Sequence, residues 1–195
     1  MISRELYKYI QFRGKRNPSY SGLYGKQSSV LKNNTRINKA REQAGKAVVP
    51  VSKIIKESNN FLRLIGVSPV GEPRVDLTKD KIDYKKIKND NDLNNENHLV
   101  WMKFTTDGYL GVVAASNDIN FDIPNGEDES DKVENHNTSG IIINMLGKEW
   151  DESFVLIFPL KNISDGLRKD IECGIGNYLI SKDIPILDFY SHRFQ

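Results

Sequence analysis

At 195 residues, with 38% hydrophobic and 28% charged residues, the chain is long enough for one domain with a full core, and polar enough that part of it is expected outside that core. No apolar run approaches the ~20 residues that span a bilayer, and Met1-Ile2-Ser3-Arg4-Glu5-Leu6-Tyr7-Lys8 lacks the apolar segment of a secretory signal. The single cysteine, Cys173, excludes an internal disulfide and suits a reducing compartment, so a soluble cytoplasmic protein without membrane contact is expected.

The formal net charge of +2 conceals a partition. Residues 1–60 carry thirteen Lys or Arg against three Glu, whereas residues 61–195 carry fifteen against twenty-three Asp or Glu. A basic first third points to nucleic acid or an acidic partner. The bland alternative is that these cations are neutralised by the acidic body of the same chain.

In chain order, Ser3 is placed to cap a helix through about Phe12, with Leu6, Tyr7 and Ile10 as its apolar stripe. Helical periodicity then stops. Gly14 to Gln27 interleaves Lys15, Arg16 and Lys26 with Tyr20 and Tyr24 among glycines and Pro18. Cations meet phosphates while tyrosine faces stack on bases, so this composition suits single-stranded nucleic acid, although loop tyrosines are also ordinary packing residues. A second helix is predicted from about Thr35 to Val48, with Arg36, Lys39, Arg41 and Lys46 on a solvated basic face. Pro50 ends it or begins the next, Ser52 to Ile65, which carries the stronger core pattern Ile54, Ile55, Phe61, Leu62 and Ile65.

Residues 67–97 read as a polar connector with a helical turn near Tyr84 to Lys88, dividing a basic helical segment (1–66) from a main domain (98–195). In the latter, Leu99, Trp101 and Lys103 alternate with Val100, Met102 and Phe104, and Asp107-Gly108 supplies a hairpin turn. The returning strand, Leu110 to Ala115, is expected to continue or re-form by Ile123, giving a hairpin over about 98–124. An acidic loop follows, Asn125 to Asn137, then a short helix from Thr138 or Ser139 that ends at Gly147.

The last stretch sets the architecture. Phe154 to Leu160 is a nearly all-apolar run, Ser164 to Ser181 is helical with Leu167, Ile171, Ile175, Tyr178 and Leu179 on one face, and Ile184 to Tyr190 is a second apolar run. Buried runs flanking a helix predict a βαβ unit over about 153–192 with parallel strands. The predicted fold class is therefore α/β or α+β, a mixed sheet built from the hairpin and the βαβ unit behind a basic, mainly helical N-terminal part.

Several chemistries are excluded by spacing. One cysteine and the distant His98, His136 and His192 make no zinc signature, so no metal or other cofactor is expected. Gly174-Ile175-Gly176 falls inside a helix, where small residues serve close packing better than dinucleotide binding. Asp83-Tyr84-Lys85 has the letters of a nuclease motif in the wrong, polar context. Trp101 reads as a sheet-face residue.

The constellation that survives lies at the strand edge. Lys161 and the helix start suit an anion, with Arg193 on the far strand end. Asp188 and His192, with Ser191 between them, suit proton transfer near neutral pH, or else Asp188 is a structural acceptor and the last residues a frayed end. The preferred reading is a nucleic-acid-directed protein binding RNA or DNA through Lys15, Arg16, Tyr20, Tyr24, Lys26, Arg36, Lys39 and Arg41, with Lys161 as a further anion contact. The alternatives are a nuclease or other phosphodiester hydrolase using Asp188, Ser191 and His192, and an inhibitor or interaction module for an acidic protein partner. No motif places the chain in a family.

Overall fold

A computed structural model describes residues 4–10, 35–77, 84–90, 93, 98–116 and 146–187. Within them lie helices α1 (Arg4–Ile10), α2 (Thr35–Ala44), α3 (Val51–Leu64), α4 (Tyr84–Asp90) and α5 (Asp165–Ser181). The strands are β1 (Arg74–Asp76), β2 (Leu99–Thr105), β3 (Leu110–Ser116) and β4 (Trp150–Pro159), in the sheet order β1-β4-β2-β3.

The α+β class holds, and a hairpin joins β2 to β3; the expected continuation from 117 to 124 lies outside the described residues. β2 pairs antiparallel with β3, Val100 opposite Ala115 and Met102 opposite Val113. Gly108 N–H donates to Thr105 O, and Gly108 takes the left-handed φ of 88° that lets the chain turn back.

The strand direction differs from expectation. β4 pairs antiparallel with both β2 and β1, so the described pairings contain no parallel neighbours. The apolar run of β4 reports burial on two faces, which a central antiparallel strand shares with a parallel one. Phe154, Leu156 and Phe158 enter the larger core, while Val155 and Ile157 join Val75, Leu77, Ile87, Leu93 and Leu99 on the opposite face. Trp101 packs at that second face, and Val100, Met102 and Phe104 point into the first, as the alternation predicts.

The second apolar run forms no strand over residues 184–187. Pro185 removes a ladder donor. Leu187 N–H donates to Leu110 O at 3.0 Å, and Ile184 and Ile186 close the core.

Helix α5 is the centre of the larger core. Ser164 caps it, its Oγ accepting from Leu167 N–H at 3.3 Å, with Asp165 in the first turn favouring the positive dipole end. It ends where Asp183 turns left-handed (φ 58°) and Ile184 N–H reaches back to Leu179 O. β2 and β3 pack against it, as do α1 and α3. Gly174 permits that approach: a Cβ there would stand 2.7 Å from Phe61 Cζ and 2.8 Å from Leu6 Cδ1. Phe61 meets Tyr178 and Tyr9 at 5.3 and 5.7 Å between ring centroids.

Two smaller expectations need correction. Tyr7 is 56% exposed, and Tyr9 takes the inward place beside Leu6 and Ile10. The connector contains a strand, β1, too short at three residues to show a period and bordered by Pro73. Its approach is fixed partly by Asn59, whose side chain donates to Val70 O at 2.7 Å and accepts from Val70 N–H at 3.1 Å.

Candidate nucleic-acid interface

The candidate interface is defined by where the basic residues stand. Lys15, Arg16, Tyr20, Tyr24 and Lys26 lie outside the described residues. Arg36 and Lys39 are in α2 by backbone, their side chains outside the description, and Arg41 is exposed in its last turn. Arg4 on α1, Lys46 after α2, and Lys53 and Lys56 on α3 are also exposed. Among the described residues, Arg4, Arg41, Lys46, Lys53 and Lys56 form no ion pair, and Lys8 pairs with Glu5 of its own helix at 2.6 Å.

Helix α3 adds cations beyond those expected from the sequence. Ile54, Ser58, Phe61 and Leu62 are buried on one side. Lys53, Lys56, Asn60 and Arg63 follow at i, i+3, i+7 and i+10 on the opposite side. Arg63 Nη1 donates to Asn60 Oδ1 at 3.1 Å. Glu57, the only acid on α3, is half-buried and accepts from the Tyr178 hydroxyl and from Asn60 Nδ2, both at 3.3 Å. Burial, followed by the charge of Glu57, raises the Tyr178 pKa above its ordinary value, so the phenol stays a donor to that carboxylate. The signal was present in the spacing of Lys53, Lys56 and Arg63, masked by the stronger apolar pattern on the other face.

The strand edge contains a second polar group. Lys161 is exposed in the turn between β4 and α5, where Asn162 takes a left-handed φ of 58°. Asp188, Ser191 and His192 lie outside the described residues. Antiparallel pairing brings the start of β2 to this same edge, and with it His98, whose carbonyl accepts from Leu160 N–H at 2.8 Å. Arg168 Nη1 stands 3.1 Å from His98 Nδ1 and 3.4 Å from Asp165 Oδ1. Asp165 Oδ1 also lies 3.4 Å from His98 Nδ1, so the imidazole, the guanidinium and the carboxylate form one cluster. The arrangement ties β2 to the first turn of α5. In the sequence His98 counts only as one of three distant histidines without a zinc spacing, and nothing there links it to Arg168, seventy residues on.

Other charge contacts belong to the turn of the hairpin. Asp107 accepts from Thr105 Oγ1 and from Lys148 Nζ, which also lies 4.3 Å from the Tyr109 ring centroid. Burial alone would raise the Asp107 pKa, but those hydrogen bonds and the Lys148 charge outweigh it and hold the carboxyl below its ordinary value. Among the described residues, no group of three or more His, Cys, Asp or Glu is placed to hold a metal ion, and no helix is long and apolar enough to cross a membrane. No protein-family model matches the chain, and no curated protein or solved structure does.

Proposed function

We propose that the chain is a nucleic-acid-binding protein that contacts RNA or DNA phosphates through its basic N-terminal part. The observation that carries this reading is the state of the described cations. Among the described residues, Arg4, Arg41, Lys46, Lys53 and Lys56 are exposed and form no ion pair. Cations neutralised by their own protein have little left to offer a polyanion. Cations left in water displace the counterions of a phosphate backbone on contact and gain free energy from their release.

The test requires substitution within the full chain. Deleting the first forty-eight residues would remove Leu6 and Ile10 from the core and confuse folding with binding. Converting Lys15, Arg16, Lys26, Arg36, Lys39 and Arg41 to Gln leaves that core in place. Fluorescence anisotropy with mixed-sequence duplex and single-stranded oligonucleotides then reads affinity against salt. Six lost phosphate contacts lower the slope of log K against log salt by about 5 on duplex and about 4 on single strands. An unchanged slope, or no binding by the parent chain at low salt, contradicts the proposal.

A further inference from the structure

We infer that the outer face of α3 is a phosphate-tracking surface for duplex nucleic acid; the inference rests on the nucleic-acid reading and assigns it a surface and a substrate form. Lys53, Lys56 and Arg63 occupy one line on a helix held rigidly by its other side, where Ile54, Phe61 and Leu62 are at most 1% exposed. From Lys53 to Arg63 the helix rises roughly 15 Å. Duplex nucleic acid presents about nine phosphate charges over that length of its axis, in fixed positions.

Two details separate this face from an ordinary solvated one. Its helix has one carboxylate, Glu57, and that group is engaged with Tyr178 Oη and Asn60 Nδ2. The line's own residues are three cations and an amide, and the Glu57 carboxylate beside it is shared between Asn60 and Tyr178. Asn60 also holds Arg63, which reduces the side-chain freedom the guanidinium has left to lose on meeting a phosphate.

The duplex assignment follows from what the face lacks. Sequence-tolerant single-strand binding draws on aromatic platforms for stacking bases. Lys53, Lys56, Asn60 and Arg63 include no aromatic, and the aromatic residue of α3, Phe61, is buried in the core. A rigid cationic line without a stacking partner suits a backbone whose phosphates are already spaced by base pairing. Such contacts position the protein and carry no sequence preference.

The experiment compares the full chain with its K53Q/K56Q/R63Q variant on a mixed-sequence duplex and on one of its strands alone. On duplex, loss of three phosphate contacts lowers the slope of log K against log salt by about 3, equally for unrelated sequences. On the single strand the slope changes by less than about 1. An unchanged duplex slope overturns the face, and an equal loss on both substrates overturns the duplex assignment. If the parent chain binds neither substrate at low salt, the broader proposal fails first. Should the triple variant unfold, the single variants Lys53→Gln and Arg63→Gln each lower the duplex slope by about 1 if the face is used, and by nothing if it is not. The charge-preserving K53R/K56R/R63K variant keeps the parent slope.

Discussion

Helices α5 and α3 share a core and treat charge in opposite ways. On α5, Arg168, Asp170 and Glu172 are only 6%, 5% and 2% exposed, because the helix is covered by the sheet on one side and by α1 and α3 on others. A charge so placed is tolerable only in engagement with its neighbours, as Arg168 is with His98 and Asp165. On α3 the core takes one side, and Lys53, Lys56 and Arg63 remain in water on the other. Neither helix is especially apolar in sequence. Place within the layers decides whether a charged side chain is part of the structure or open to a partner.

Breaking the shared core has the largest expected effect. Phe61→Ala removes a fully buried ring that touches Tyr9 and Tyr178, and should cost about 3–5 kcal/mol in urea-induced unfolding. A loss under about 1 kcal/mol would mean that α3 is not anchored as described. Gly174→Ala follows. Overpacking against Phe61 and Leu6 should cost about 1–3 kcal/mol, reduced by the up to ~1 kcal/mol that Ala gains over Gly in a helix. A double-mutant cycle with Leu6→Ala should recover part of the packing loss, and simple additivity would deny the close approach of α1 to α5.

A smaller effect is expected at the hairpin, with a defined direction in pH. The folded pKa of Asp107 lies below its unfolded value, so the unfolded chain binds more protons as pH falls through that range. The contribution is complete above the ordinary carboxylate value and is lost as pH drops toward the folded one. Lys148→Met should weaken this dependence and move acid unfolding to higher pH, read by circular dichroism. An unmoved acid midpoint would show that the Lys148 contact contributes nothing. At the other end of the scale, K53Q/K56Q/R63Q should change stability by no more than about 0.5 kcal/mol while changing salt-dependent binding. A large stability loss would place the three cations with the charges of α5 and refute the contrast between the helices.

Much of this fold was legible wherever a period ran long enough. Ser164, the apolar face through Ile171, Ile175 and Leu179, and the bounds of α5 follow from capping and 3.6-residue spacing. The two faces of β2 follow from alternation, and its turn from Asp107-Gly108. Strand direction did not follow. Phe154 to Phe158 is apolar because both faces are covered, and a single strand carries no mark of which way its neighbours run. That ambiguity also concealed His98, whose nearness to Arg168 depends on β2 starting where β4 ends. Of the site, the excess of cations was visible from composition. The inward turn of Glu57 was not, because it depends on Tyr178, 121 residues further along the chain.

The nucleic-acid proposal rests on unneutralised cations, and one titration addresses it most directly. The affinity of the full chain for a mixed-sequence oligonucleotide duplex is measured by anisotropy from about 50 to 200 mM salt, the range over which 6–10 phosphate contacts lose about 10³–10⁵ in affinity. The account predicts a linear fall of log K with log salt, steep enough to report several phosphate contacts and independent of sequence. A flat dependence, or no binding at the lowest salt, would contradict it.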